Sequence, residues 1–371
     1  FCCFAPNFWF VILCRFGLDC ALSALVALSA CMQGELSACE GRGTFILSSF
    51  VFYPLGELMV LTIGSLAHEM TEVLDWRICF ISTVVPSLIA TVSSLIFLPE
   101  SPRYLALVEH VDALIETLST IARANGNHAF ARRERFAGLK QEDYSMVVSD
   151  RVEYWFLPGL LERSYLKVTC ILSLLWLVVA CGLSLAVWVA IDGGDGEHSF
   201  IWLILVIALA DLSGALLATL FIESGRVITL GVFCGVSVVF FVLMVTISGY
   251  STLLAALLRA GLYGVSCIGF LIVIELYPTR LRVDALCLLV CLSKFASIGG
   301  GFLAPVMLVG GDGITLKVLM GISLLIVLIV TFYLPDVTGG HLIEENFDSV
   351  IVTNFFQTSF TSDMEKRKEI Q

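Results

Sequence analysis

Long apolar stretches, separated by short polar segments, fill most of this chain. They are about 18 or more residues long and nearly free of charge, which is the length a helix needs to cross a lipid bilayer. Because lipid offers no partner for exposed backbone groups, such helices close into bundles. We predict nine membrane spans, over residues 8–32, 44–67, 78–98, 166–191, 199–222, 227–249, 251–276, 284–309 and 315–334.

One stretch, residues 97–126, interrupts the apolar pattern. It opens with Pro99-Glu100-Ser101-Pro102-Arg103, and prolines end helices because they lack an amide proton and clash with the preceding turn. An amphipathic pattern follows and stops at Asn125-Gly126, with one apolar side formed by Leu105, Val108, Leu114, Ile115, Leu118 and Ile121. The pattern predicts one amphipathic helix outside the membrane that joins two bundles.

Four regions follow from this division. Residues 1–98 form a first helical bundle with three spans, and residues 166–334 form a second bundle with six. Residues 99–165 form the central loop, whose part after residue 126 mixes both charge signs as a solvated linker does. Residues 335–371 are a polar tail that we expect to be disordered.

Composition agrees with a membrane protein and argues against other classes. The chain is 58% apolar and 14% charged, against roughly 45–50% apolar residues in soluble domains. A net charge of −11 disfavours nucleic-acid binding. The cysteines lie mostly inside apolar runs, and neither metal-ligand spacing nor a catalytic constellation is present, so we expect no cofactor, no metal and no enzyme activity. The partners expected are membrane lipid and a small solute, while the oligomeric state stays open.

Lysine and arginine set the orientation. Most of the 21 basic residues fall on one side when the central loop is placed in the cytoplasm, which is the positive-inside pattern. Nine spans then put the chain's start outside and its end inside. A start outside without a signal-peptide pattern suggests that an N-terminal portion is missing. The membrane is either the plasma membrane or that of an intracellular vesicle.

Short motifs occur in an order that resembles the major facilitator superfamily, in particular its organic ion transporters and the synaptic vesicle two-related proteins. They include the Pro-Glu-Ser-Pro-Arg block, Glu40-Gly41-Arg42-Gly43, a degraded inner-loop motif at Glu223-Ser224-Gly225-Arg226, Glu275-Leu276-Tyr277-Pro278-Thr279-Arg280-Leu281-Arg282, and Leu334-Pro335-Asp336-Val337-Thr338-Gly339-Gly340. The resemblance implies an all-α bundle of that superfamily, with the chain matching helices four to twelve and the first three absent. It also implies transport of a small organic ion, with a proton or other ion as a candidate for coupling.

Ionisable residues inside the spans are the candidates for binding or coupling, because each is costly at mid-depth unless paired. Arg15 and Asp19, one turn apart, form either a local ion pair or a relay. Glu57 is either a coupling carboxylate or the partner of a basic residue. Asp211 either faces a cavity or bonds a neighbouring helix, and for Arg259 we favour pairing with Asp211 or a helix end.

Lys294 is the strongest candidate for solute binding. It lies in the eighth span, shortly before the flexible Gly299-Gly300-Gly301 and Pro305. The resemblance to organic anion transporters implies that a basic residue here lines the cavity. An ammonium group in a cavity attracts a carboxylate, sulfate or phosphate, so an anion is slightly favoured. The alternative is a lysine that pairs with Asp211 or Glu57.

Five cytoplasmic residues are candidates for gating, because ion pairs between them could bridge the bundles in one access state. This role, taken partly from the resemblance, falls on Glu100, Arg103, Glu275, Arg280 and Arg282. Our first hypothesis is a secondary transporter of small organic ions that works by alternating access. The alternatives are a transporter-fold protein that binds or traffics without transporting, favoured by the degraded motif at Glu223–Arg226, and a truncated inactive product.

Overall fold

The computed structural model describes residues 7–71, 76–108, 110–126, 159–163, 165–192, 198–247, 251–309, 313–340 and 342. Twelve α-helices are present within these residues. They are α1 Phe8–Leu36, α2 Arg42–Phe50, α3 Phe52–Thr71, α4 Trp76–Phe97, α5 Pro102–Leu107, α6 Val111–Ala124, α7 Leu166–Asp192, α8 His198–Phe221, α9 Arg226–Thr246, α10 Ser251–Leu276, α11 Thr279–Val309 and α12 Gly313–Thr331. The predicted linker at 127–158 and tail beyond 342 lie outside the described residues.

Eight helical segments in the described part are long and apolar enough to cross a membrane. The ninth predicted span corresponds to α12, whose searched apolar portion, Lys317–Thr331, is shorter. Together with the all-helical secondary structure, these segments confirm an integral, multi-pass membrane protein. Large apolar side chains on the outside of the helices, such as Phe295 and Phe302, are then suited to lipid.

The second predicted span is two helices rather than one. α2 ends at Phe50 and α3 begins at Phe52, with Val51 between them. The cause is Pro54, because proline cannot donate the hydrogen bond that the carbonyl four residues earlier, at Phe50, requires in a continuous helix. The break leaves that carbonyl free to accept a bond from another helix.

The amphipathic segment after the first bundle is also two helices, which corrects the prediction of one. Ser101 caps α5, its hydroxyl accepting a hydrogen bond from the Tyr104 amide at 3.2 Å, and Pro102 takes the first helical position. The chain then leaves the helical path between α5 and α6, so Val108 does not continue the predicted apolar side. Leu105, Ala106 and Leu114 form a small core between the two helices.

The segment after α12 is ordered where we expected disorder. Leu334 and Leu342 are buried, and Thr338 bonds both to Asp336 and to the start of α9. Disorder is therefore wrong for residues 335–340.

Helix α10 lies at the centre of the second bundle, which we define as α7–α12. It packs against α7, α8, α9 and α11, and most of its residues are buried. Small residues permit this density: a methyl group at Gly214 of α8 would collide with the Ala260 carbonyl of α10, so only glycine allows these two helices to approach so closely.

The first bundle, defined as α1–α4, contacts the second through three helices. α1 touches α10 and α11, α2 touches α8 and α10, and α3 runs along α8. Along α1, burial is confined to the end of the helix, at Ala27, Ala30, Cys31 and Gly34. At its start Phe8, Trp9, Leu13 and Phe16 are exposed, so α1 meets the second bundle at one end only.

Candidate functional site

Polar and charged groups concentrate in two places. The first is the end of the molecule where α1 finishes and α11 begins, which we call the inner end. The second is a group of side chains at mid-depth, within α3, α8 and α10. Each place joins helices of the first bundle to helices of the second.

Arg226 anchors the inner end. It is the first residue of α9 and is completely buried, so its guanidinium needs partners for charge and for hydrogen bonds. Its Nε donates to Glu275 Oε2 at 3.2 Å, and a second nitrogen lies 3.4 Å from Glu275 Oε1. A third bond, 2.9 Å long, goes to the Ile222 carbonyl. Such a two-pronged contact with one carboxylate holds α9 and α10 in a fixed register.

Glu223 bonds both to Arg226 and to the first bundle. One carboxylate oxygen lies 3.0 Å from Arg226, and the other accepts bonds from the Thr44 amide at 3.0 Å and the Thr44 hydroxyl at 3.1 Å. Because the first amides of a helix lack intrahelical partners, a carboxylate from the second bundle here caps α2 of the first. Gly43 lies beside it, and a Cβ atom there would lie 2.7 Å from the Arg226 guanidinium, so any larger residue would have to displace that group.

Arg42 makes a second bridge, from α2 to two parts of the second bundle. Its guanidinium is buried, lies 3.7 Å from Glu275, and donates to the Gly340 carbonyl at 3.3 Å. Glu275 is thus shared by two arginines, one from each bundle. The segment after α12 takes part through its backbone and through Thr338, whose hydroxyl accepts from the Arg226 amide at 2.8 Å.

Arg282 and Glu35 form the third bridge, between α11 and α1. Arg282 is completely buried; it donates to Glu35 Oε1 at 2.8 Å and to the Ile274 carbonyl at 2.9 Å. The other Glu35 oxygen accepts from Ser101, the residue that caps α5. One carboxylate therefore ties α1 to the second bundle and to the central segment at once.

The five predicted gating residues differ in whether they take part in the inner-end contacts. Glu275 and Arg282 are central to the inner-end contacts. Arg103 lies nearby, where burial and the neighbouring charges of Arg282 and Arg42 lower its pKa to about 10. Arg280 is exposed, and Glu100 is exposed with no hydrogen bond or ion pair to any described residue.

At mid-depth, Arg259 of α10 binds Asp211 of α8. The two groups are 2.6 Å apart, Asp211 is completely buried, and Arg259 also donates to the Leu183 carbonyl of α7 at 3.2 Å. This is the pairing favoured for Arg259 above. The second oxygen of Asp211 and Nε of Arg259 are buried without a hydrogen bond to any described group, so the pair is not saturated.

At the break between α2 and α3, the first bundle contacts the mid-depth group. Tyr263 of α10 donates its hydroxyl to the Phe50 carbonyl at 3.1 Å, the carbonyl freed by Pro54. The rings of Tyr53 and Tyr263 lie 6.4 Å apart. One turn further along α3, Glu57 lies within electrostatic range of Asp211 and Arg259, yet its carboxylate has no hydrogen bond or ion pair among the described residues.

Arg15 and Asp19 form a local ion pair of 3.1 Å, and both are about half exposed on α1. Lys294 is exposed on α11, and no described residue bonds to it. The expected alternative, that Lys294 pairs with Asp211 or Glu57, is wrong, because Asp211 is taken by Arg259 and Glu57 is unpaired. Cys287, two turns before Lys294 on the same helix face, lies near Cys31 of α1, so this face turns toward the first bundle.

Sequence reasoning missed five residues that take part in the inner-end contacts: Glu35, Arg42, Thr44, Glu223 and Arg226. Glu223 and Arg226 lie in the motif that looked degraded, and both make inner-end contacts. The available signal was the charge of Arg42 and Arg226 at the first positions of helices, next to glycines. In the described part, no three His, Cys, Asp or Glu side chains are grouped as metal ligands.

Comparison with known proteins decides the family. The model of the "Sugar (and other) transporter" family matches residues 1–187, half of the chain. This protein belongs to the "Sugar (and other) transporter" family. Its fold is that of the major facilitator superfamily: the proton:xylose symporter XylE, in a structure with 6-bromo-6-deoxy-D-glucose, matches with a TM-score of 0.64 over 85% of this chain and 69% of the symporter, at 16% identity.

Two curated relatives of this sugar transporter family member match along nearly its whole length. "Organic cation/carnitine transporter 4" of Arabidopsis thaliana is 26% identical over 93% of the chain, and the major myo-inositol transporter IolT of Bacillus subtilis is 24% identical over 93%. The chain spans 64% of the length of the first and 76% of the second. The relatives are transporters and not enzymes, in agreement with the expectation above.

Proposed function

We propose that this protein is a secondary transporter of a small organic ion that works by alternating access. One observation carries the proposal: buried ion pairs and hydrogen bonds join the two bundles at the inner end, while the start of α1 is exposed. In alternating access, two bundles rock about a site near mid-depth, and contacts at one end close that side. The inner-end contacts are suited to closing the cytoplasmic side.

Each region predicted from the sequence has a role in the proposed transporter. Residues 1–98 and 166–334 are the two rocking units, residues 99–165 connect them, and the tail begins with the segment that binds Arg42. The membrane is the plasma membrane or that of an intracellular vesicle. A proton or another small ion is the candidate for coupling.

We infer the class of solute from the ammonium group of Lys294, which lies near the bundle interface. The two relatives are an organic cation/carnitine transporter and a myo-inositol transporter, so they do not agree on one solute. Lys294 offers an ammonium group without a described partner on the α11 face that turns toward the first bundle. That group favours an organic anion, since a carboxylate or sulfate would neutralise it. We place the protein near the organic ion transporters of the superfamily.

The test is solute uptake by the full chain in proteoliposomes. Labelled p-aminohippurate, tetraethylammonium and xylose represent an organic anion, an organic cation and a neutral sugar. We expect saturable uptake of p-aminohippurate, lost in Lys294→Gln and kept in the matched control Lys317→Gln, which removes a lysine from a different helix. Uptake of tetraethylammonium or xylose instead would contradict the anion, and no uptake of any solute would contradict transport and favour a non-transporting protein.

A further inference from the structure

The mid-depth group contains two acids and one base. Arg259 is committed to Asp211 through a contact of 2.6 Å and to α7 through the Leu183 carbonyl. Glu57 faces this pair from the other bundle and is close enough to interact electrostatically with both members. One guanidinium cannot neutralise two carboxylates, so the group has a surplus of one negative charge whenever Glu57 is ionised.

Among the residues that the structure describes, no other helix supplies the missing positive charge. α8 presents Asp211, and α10 presents Arg259 and the phenol of Tyr263. On α1, Arg15 reaches the surroundings of Tyr53 but is paired with Asp19 at 3.1 Å. Of the other two arginines of the first bundle, Arg42 is engaged at the inner end and Arg77 lies in the first turn of α4.

The surroundings of Glu57 suit a positive charge that arrives from outside the protein. Tyr53 lies one turn before Glu57 on α3, and its ring is 6.4 Å from the ring of Tyr263 on α10; aromatic faces attract cations. Asp211 is different, because it is completely buried and one of its oxygens is already bound to Arg259. Its other oxygen is buried and unbonded among the described groups, which keeps the site polar but short of positive charge.

We infer that Glu57 binds one positive charge in each transport cycle, either a proton or the cationic group of a solute, while Asp211 serves only to position Arg259. The inference rests on the proposed transport function and assigns its coupling site. In the proton case, a proton from water joins a carboxylate oxygen of Glu57 to give the neutral acid, and the same proton returns to water on the opposite side of the membrane.

The test detects the proton itself, independently of transport. Infrared spectra of the full chain in lipid, recorded during a pH titration, show the carbonyl stretch of each carboxylic acid as it forms. We expect Glu57→Gln to remove one such signal. The double variant Asp211→Asn/Arg259→Gln removes the buried pair without leaving a lone charge, and we expect it to keep that signal. The amide band of the same spectra reports whether each variant has kept its helices.

Two comparisons complete the experiment. If Glu57→Gln loses its helices, Glu57→Asp replaces it, and that variant should keep a shifted acid signal. At constant pH, tetraethylammonium should reduce the Glu57 signal if a solute cation takes the site, and should leave it unchanged if only protons do. An acid signal that persists in Glu57→Gln and disappears in the double variant would overturn the inference. Absence of uptake alongside a Glu57 signal would overturn transport instead.

Discussion

The inner end and the mid-depth group both contain arginines and carboxylates, but only at the inner end does each carboxylate described above bond to an arginine. At the inner end, Glu275 lies between two arginines and Glu223 between an arginine and a helix N-terminus. At mid-depth, one arginine lies between two acids, and the carboxylate of Glu57 has no bond among the described residues. Carboxylates bonded to an arginine hold helices together, whereas a carboxylate without such a bond is available to a ligand. We propose that the first arrangement serves closing and the second serves binding.

Burial explains why both regions are sensitive to change. Removing one member of a buried ion pair leaves the other charged and desolvated, which costs about 3–5 kcal/mol. Removing both members of such a pair costs far less. Single and paired substitutions therefore distinguish the roles of the two regions.

The largest effect is expected for Arg226→Ala. It leaves Glu275 with only the longer contact to Arg42 and removes the Arg226 partner of one Glu223 oxygen, so we expect a loss of about 3 kcal/mol in the free energy of unfolding. Unfolding in mixed detergent micelles measures it. Arg163→Gln, an exposed arginine, is the matched control and should change stability by less than about 0.5 kcal/mol. Equal losses in both variants would refute the anchoring role of Arg226.

The next largest effect concerns the mid-depth pair. Asp211→Asn should lower the free energy of unfolding by about 2–3 kcal/mol, because Arg259 keeps its charge and loses its partner. Adding Arg259→Gln should restore more than half of that loss, a coupling of about 1–3 kcal/mol. The same micelle unfolding experiment measures both variants. Additive losses would show that the two residues do not depend on each other.

Glu35→Gln should weaken the inner end without unfolding the protein. Arg282 then loses its charged partner across the bundles, and a shift of about 1.4 kcal/mol would increase the open population about tenfold. Cys31, buried beside this pair, should react with a maleimide about tenfold faster, as followed by mass spectrometry. Cys14 on the same helix is the internal control. An unchanged rate at Cys31 would mean that Glu35 does not hold the inner end closed.

The smallest effect is expected at the helix break. Tyr263→Phe removes the hydroxyl that donates to the Phe50 carbonyl and should cost about 1 kcal/mol of unfolding free energy. In a Pro54→Ala background the helix can bond that carbonyl itself, so the same substitution should cost less. A thermodynamic cycle of the four proteins measures the difference. An equal cost in both backgrounds would show that the contribution of the Tyr263 hydroxyl does not depend on Pro54.

The sequence was sufficient for those features that depend on local pattern. Apolar length predicts the spans, and prolines predict where the central segment leaves the membrane. The family motifs predict the fold, because they occur in a fixed order. Local pattern also indicates that Arg259 and Asp211, each alone in an apolar span, need partners, and the structure brings them together.

Features that depend on how two bundles meet were not predictable from one sequence. Thr44 and Glu223 are 179 positions apart, and Glu35 and Arg282 are 247 apart. Their contact depends on the rotation of whole helices about their axes, which no short motif encodes. For the same reason the alternative partners of Lys294 were wrong: helical period places a residue on a face, but it does not say which neighbour that face meets.

The central claim is that the inner-end contacts close one side of a transporter. It is tested by the distance between the bundles at that end, measured by electron spin resonance with nitroxides on p-acetylphenylalanine at Glu40 and Lys167, which avoids the native cysteines. We predict one short distance in the otherwise unchanged protein and a second, longer population in Glu35→Gln/Arg282→Gln. A single distance that is the same in both proteins would contradict the account.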